Sequence, residues 1–313
     1  MTMVGAKDLV CTFWEPCLDF VMVQETKCEL IHGDCIKGMA AMPDGSVDLC
    51  VTSPPYNLGI EYGRYNDRVA RKEYLDWTKK WVAEIHRILG ESGSFFLNVG
   101  ASPSNPMLPY EILCEIRDQF VLQNTIHWIK SITVETRDGK KISTGHFKPI
   151  RSNRFITDCH EFIFHLTKTG NTPIERLAVG VPYADKSNIK RWGHTGGKDK
   201  RCRGNTWFIP YQTIHNRDNQ RPHPATFPKD LPVMCIRLHG WRDDLVMVDP
   251  FMGIGNSALA AIECEIGGFI GFEIDKGYYK TAVECVSEFR KQCSLPLPLT
   301  SKMGVAKRSF VHA

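Results

Sequence analysis

Two short stretches carry residue types and spacings suited to chemistry. The first is DLCVTSPPYN, residues 48–57, where an apolar run stops at Ser53-Pro54-Pro55-Tyr56. An exocyclic amine on a base is a weak nucleophile, because its lone pair is delocalised into the ring. It needs no covalent catalyst, but it must be turned towards tetrahedral geometry by one acceptor for each N–H. Ser53 Oγ and the Pro54 carbonyl are two such acceptors, held rigid because proline fixes φ. Tyr56 adds a ring on which a base flipped from a duplex would stack. The plainer reading is a rigid turn, or a polyproline ligand for an adaptor domain. A ligand motif belongs in a flexible tail, and this one closes a core strand, which favours the first reading.

The second stretch is VDPFMGIGNSALAAIECEIGGFIGFEID, residues 248–275. A strand, a glycine-rich turn and a helix bring Gly253 and Gly255 against a nucleotide-like ligand. Glu273 closes the following strand, at the distance from the glycines that suits a carboxylate accepting from two ribose hydroxyls. Gly253-x-Gly255-x-x-Ala258 fits the dinucleotide fingerprint of a nicotinamide-dependent oxidoreductase equally well. Three features tilt against that reading. Asp-Pro-Phe precedes the turn where a dinucleotide strand has apolar residues, the turn lies late in the chain, and nothing in the dinucleotide reading explains Ser53–Tyr56.

The elements that must hold these turns follow from the apolar pattern. Strands are expected at 26–34, 46–52, 94–99, 121–130, 159–167, 244–248 and 268–273, and helices at 71–90 (stopped by Gly90), 111–120, 229–240, 256–265 and 276–292. Residues 131–158 read as polar and irregular, and 169–222 as loop-heavy. Alternating strands and helices imply a mostly parallel sheet covered on both faces, with ligands at the carboxyl ends of its strands. Both proline-containing turns, at 53 and 249, fall at such ends.

With 313 residues, 42% hydrophobic and 24% charged, the chain has room for one large α/β domain with an insert, or two domains. A net charge of +4 is compatible with nucleic acid without demanding it. Its distribution is more telling: Lys186, Lys190, Arg191, Lys198, Lys200, Arg201 and Arg203 face a single acid, Asp199, within one segment. The 12 cysteines form no C-x-x-C pair, so zinc ribbons and thioredoxin-type sites lose their signature, and the thiols read as buried in a reducing compartment. No signal peptide opens the chain and no apolar run is long enough for a membrane helix, so an intracellular protein is expected: cytoplasm or nucleoid in a bacterium, nucleus in a eukaryote.

Taken together, residues 26–168 and 218–288 resemble the β-class amino-methyltransferases of DNA, whose catalytic tetrapeptide precedes the cofactor loop. The resemblance implies a Rossmann-like class I methyltransferase fold in permuted motif order, S-adenosylmethionine as cofactor and double-stranded DNA as substrate. It implies a homodimer as a common assembly and a cognate restriction nuclease as partner in a bacterial host. Serine at the start of the tetrapeptide, as at Ser53, is typical of enzymes acting on cytosine N4; aspartate is typical of those acting on adenine N6. By the same resemblance Asp249, Phe251, Gly253, Gly255 and Asn256 form the cofactor loop, Glu273 takes the ribose, Phe227 and Pro228 border the cofactor, and Asp34 lies near its adenine. Asp34 reads equally well as a helix N-cap. Residues 169–215 become the target-recognition insert, with Lys190, Arg191, Lys198, Lys200, Arg201 and Arg203, and the aromatics Tyr183, Trp192, Trp207, Phe208 and Tyr211, against phosphates and bases. Residues 1–25 form an extension without a functional reading and 293–313 a tail. The Pro16-Cys17 pair matches the cytosine-C5 nucleophile in type but not in position, and is incidental.

Overall fold

A near-continuous apolar run buries a strand on both faces, and such strands assemble in parallel beneath helices. The computed structural model of the chain describes residues 25–57, 68–103, 105–135, 141–145, 152–156, 158–211 and 226–294. In order they form β1 (Lys27–His32), α1 (Cys35–Ala40), β2 (Val47–Thr52), α2 (Arg71–Ile88), β3 (Leu89–Val99), α3 (Leu108–Ile116), β4 (Val121–Glu135), β5 (Lys141–Gly145) and β6 (His160–Thr167). There follow α4 (Ser187–Arg191), β7 (Thr206–Tyr211), α5 (Asp230–His239), β8 (Val246–Asp249), α6 (Asn256–Glu263), β9 (Gly268–Glu273) and α7 (Lys276–Ser294). Pro16-Cys17, His223–Ala225 and nearly all of the two terminal segments lie outside the described residues.

One sheet runs β1-β9-β8-β2-β3-β6-β4-β5, with β7 also paired to β4. β1, β9, β8, β2 and β3 are mutually parallel neighbours. β6 is antiparallel to both β3 and β4. Its first residues therefore lie at the end where the parallel strands finish, and its last at the opposite end. The expected α/β Rossmann-like architecture, a mostly parallel sheet with a helix layer on each face, is what the chain adopts. Leu49, Val51, Trp128 and Trp207 face the side packed with Leu231, Ile236 and Ala258 of α5 and α6. Cys50, Phe95 and Leu97 face the side packed with Trp81 and Ile85 of α2 and Ile112 of α3. Among the described residues no helix is long and apolar enough to cross a membrane.

Four expectations need correction. α2 ends at Ile88, before Gly90, because Leu89 is already extended (φ −74°, ψ 135°) and pairs with Val47. The strand expected at 94–99 thus begins at Leu89, with an irregularity before Leu49 pairs with Ser94. Residues 131–158 are not all irregular: the β-branched alternation in Ser131–Glu135 extends β4, and β5 pairs back antiparallel. Residues 169–222 are not all loop, since TWFIPY forms β7, parallel to β4 from His127 to Ile132. Pro210 obscures that strand, and proline is tolerated at the rim of a sheet. The C-terminal part of the expected insert therefore belongs to the sheet.

Trp207 is 1% exposed inside the core, whereas Phe208 on the same strand is 55% exposed. Trp207→Ala should lower stability by about 3–5 kcal/mol, and Phe208→Ala by roughly 0.5 kcal/mol or less. Denaturant titration of both variants checks the assignment, and similar losses for the two would contradict it.

Candidate active site

β2 and β8 are adjacent, so the turns that follow them sit side by side although 197 residues separate Thr52 from Asp249. Asp249 joins them. Its carboxylate is fully buried; Oδ1 accepts from Thr52 Oγ1 at 2.6 Å and from the Phe251 amide at 3.0 Å, and Oδ2 accepts from Ser257 Oγ at 2.6 Å. Burial raises its pKa to about 6 despite these donors. With both oxygens accepting from groups of the protein, Asp249 shapes the loop to which the sequence assigned it. Phe251 is anchored in turn by the rings of Trp77 and Trp81, at 5.5 and 5.2 Å.

The loop then turns through Gly253 (φ 55°) and Gly255 (φ 90°), left-handed conformations that favour glycine. A Cβ on Gly255 would meet Ala282 Cβ of α7 at 3.2 Å. The glycine is therefore required for backbone conformation and helix packing, where the sequence suggested room for a ligand. Asn256, expected at the cofactor, donates from Nδ2 to the Phe227 carbonyl at 2.7 Å and ties the buried Phe227, with Pro228 beside it, to the start of α6. Glu273 closes β9 at 8% exposure. Its Oε2 accepts from the Gly253 amide at 3.1 Å and its Oε1 from the Asp275 amide at 2.7 Å. Burial raises its pKa to about 7. Asp34 follows β1, the neighbour of β9, and caps α1 by accepting from the Lys37 amide at 3.0 Å. The row Asp34, Glu273, Gly253 and Ser53 thus spans the carboxyl ends of four successive parallel strands.

Around Ser53–Tyr56 the structure adds partners that the sequence did not reveal. Tyr56 is 8% exposed. Its hydroxyl lies 2.6 Å from Ser53 Oγ, 3.1 Å from Glu161 Oε2 and 3.3 Å from the Asn98 carbonyl. Glu161 Oε1 pairs with Lys130 Nζ at 2.5 Å. Tyr74 of α2 donates to the Pro55 carbonyl at 2.8 Å. Asn57, itself left-handed (φ 54°), holds Val69 through both amide atoms. Only a narrow part of the Tyr56 ring is open to a stacked base. A local signal for Glu161 existed: it is the one acid in the strand HEFIFHLT, flanked by its apolar run Phe162–Phe164.

The basic segment leads back to the end of the sheet where these turns lie, since Thr206, which opens β7, pairs with His127 level with Phe162 and with Val99 at the end of β3. β6 delivers the chain to the opposite end of the sheet, and the segment returns beside the start of β7. Val181 bridges Arg201, Arg203 Nε donates to the Val179 carbonyl at 2.9 Å, and Arg201 Nε to the Pro182 carbonyl at 3.3 Å. Lys190 and Arg191, in the last turn of α4, and Lys198 and Lys200, on the loop that follows, are exposed. Tyr183 is buried there against Trp192 (6.1 Å), and Trp207 lies in the core, so neither is displayed as a stacking surface.

Comparison with known proteins places this geometry. The profile of the DNA methylase family (N6_N4_Mtase) matches residues 47–284. The Type II methyltransferase M.BglII of Bacillus subtilis is 29% identical over 270 residues, covering 83% of this chain and 69% of that protein. The structure of the PvuII DNA methyltransferase (cytosine-N4-specific) shares the fold at a TM-score of 0.60 and 19% identity, over 86% of this chain and 93% of that one. So does a putative DNA modification methylase of Thermus thermophilus complexed with S-adenosyl-L-methionine, at a TM-score of 0.54 and 23% identity, over 83% and 93%.

Gly255→Ala should cost about 1–2 kcal/mol of stability through its left-handed backbone alone, with the Ala282 contact adding to it. Thermal melts of the protein without ligand check this; an unchanged midpoint would return Gly255 to a purely ligand-facing role.

Proposed function

The chain belongs to this DNA methylase family, and we propose that it is a β-class enzyme transferring the methyl group of S-adenosylmethionine to N4 of cytosine in duplex DNA. Family membership replaces the nicotinamide reading of the glycine turn. The observation that carries the proposal is the pairing of β2 with β8, which sets a Ser-Pro-Pro-Tyr turn beside a glycine loop backed by a buried carboxylate.

The cofactor side fits such a ligand. Glu273 is a nearly buried carboxylate whose pKa burial raises, and its charge is met by backbone amides. Hydroxyl donors from a ribose would stabilise its charged form further. Phe227, Pro228 and Asp34 border the same strand ends. When bound, S-adenosylmethionine supplies a methyl group made electrophilic by its sulfonium. The protein supplies position: Ser53 Oγ and the Pro54 carbonyl accept the two N–H bonds of the target amine and turn its lone pair towards that methyl group. The amine then sheds its proton to water.

Serine at position 53 supports cytosine as the base. The family spans N6 and N4 enzymes, so adenine N6 is the second reading on the same scaffold. Incubation with S-adenosylmethionine and unmethylated duplex DNA, followed by nucleoside mass spectrometry, should yield N4-methylcytosine. N6-methyladenine would overturn the base assignment and keep the reaction. Ser53→Ala should lower kcat by about 10-fold or more while cofactor affinity, measured by titration, changes little. Equal loss of both would remove the assigned role.

The residues between 178 and 204 are assigned to the DNA backbone as the accessible part of a target-recognition insert, supported by the exposed charges of Lys190, Arg191, Lys198 and Lys200. Replacing all four by alanine should weaken binding across sequences and flatten the dependence of log Kd on log salt by about 0.9 for each phosphate no longer neutralised. An unchanged slope would place the DNA elsewhere.

A further inference from the structure

A serine hydroxyl can either donate or accept, and only the second is useful to an amine that is itself a donor. Whatever fixes the direction of the Ser53 hydroxyl therefore decides whether the turn works. The Tyr56 hydroxyl, 2.6 Å away, has one proton, and Ser53 Oγ, Glu161 Oε2 and the Asn98 carbonyl are oxygens within its reach. Two of these, the carboxylate and the carbonyl, cannot donate. If Tyr56 gave its proton to Ser53, its own lone pairs would face both of those acceptors in a nearly dry setting, where uncompensated polar contacts are expensive. Tyr56 must donate towards Glu161 and Asn98, so Ser53 must donate to Tyr56. The Ser53 lone pairs are left facing outward.

We propose that Glu161, held by Lys130, is a positioning residue for methyl transfer: through Tyr56 it orients the Ser53 hydroxyl as an acceptor for the target amine. This deepens the role proposed for Ser53 and rests on it. The fold builds the chain of contacts from three strands. β2 delivers Ser53 and Tyr56, and β6, running backwards, brings Glu161 to the same end. There it pairs with Trp128, two residues before Lys130 on β4. Lys130 Nζ occupies Oε1, which leaves Oε2 for Tyr56. Gly100 opens the space between them: a Cβ there would lie 3.0 Å from the Tyr56 ring and 3.2 Å from the Glu161 carboxyl carbon.

The near-isosteric change Glu161→Gln reverses the polarity. Lys130 would draw the amide oxygen to itself and leave the amide N–H₂ facing Tyr56. Tyr56 would then accept from the amide, and its proton would go to Ser53 Oγ at 2.6 Å in preference to the Asn98 carbonyl at 3.3 Å, turning the Ser53 proton towards the amine. Tyr56→Phe removes the middle of the chain. Both variants should lose about 10- to 100-fold in kcat, the scale of one charge-assisted hydrogen bond, with cofactor affinity, KM for DNA and melting temperature close to wild type.

The decisive test is the combination, with initial rates of methyl transfer from labelled S-adenosylmethionine to duplex DNA. In the double variant the losses should not multiply: Glu161→Gln should add less than about 3-fold to Tyr56→Phe, and neither should add to Ser53→Ala, as for residues acting as one unit. Wild-type kcat in Glu161→Gln, or losses that multiply, would overturn the relay while leaving Ser53 in place. Wild-type kcat in Ser53→Ala would overturn the role of Ser53 and the relay with it.

Discussion

A carboxylate with no exposed atom holds the two halves of this site together. Asp249 ends β8 and accepts from Thr52 at the end of β2, from Ser257 in α6 and from the Phe251 amide. Taking an ionised carboxylate out of water is costly unless its lone pairs are met, and here three donors meet them. The result is positional: Thr52 immediately precedes Ser53, and Phe251 opens the glycine loop, so one side chain sets the spacing between the two turns. The aromatic layer of Trp77, Trp81 and Phe251 backs this arrangement from the α2 side. Order along the chain is immaterial to it, because adjacency in the sheet, not in sequence, brings the turns together.

The polar shell around Tyr56 shows the same economy. Each of its members lies in or beside a strand or helix, which is more exact than a loop for a hydrogen bond that must have one direction. The Lys130–Glu161 pair, with side chains 23% and 11% exposed, contributes little to stability by the usual measure of partly buried ion pairs, since desolvation offsets attraction. Its value lies in fixing which oxygen of Glu161 remains for Tyr56.

Much of this is legible in the sequence. Ser53–Tyr56 and Asp249–Gly255 stand out because prolines and glycines announce turns, and because both follow apolar runs that can only be buried strands. What stays hidden depends on alignment between distant strands. Glu161 lies 105 residues from Tyr56, and nothing local says that β6 is antiparallel or which residue of it faces Gly100. β7 reads as loop because Pro210 and its polar flanks resemble punctuation, while the partner that makes it a strand, β4, lies far earlier in the chain. The pattern singles out Gly255 but does not show that α7 presses on it. Membership of the motif places Asp249 and Asn256 in the loop but does not reveal that their side chains bond to Thr52, Ser257 and the Phe227 carbonyl.

Glu273 carries a consequence of a different kind. Each of its oxygens accepts from a backbone N–H, of Gly253 and of Asp275. Those two bonds, made with the protein's own backbone, hold the side chain in one orientation, and a carboxylate so held loses little further freedom to any partner it takes. The end of β9 is thereby a rigid template, shaped by the fold itself.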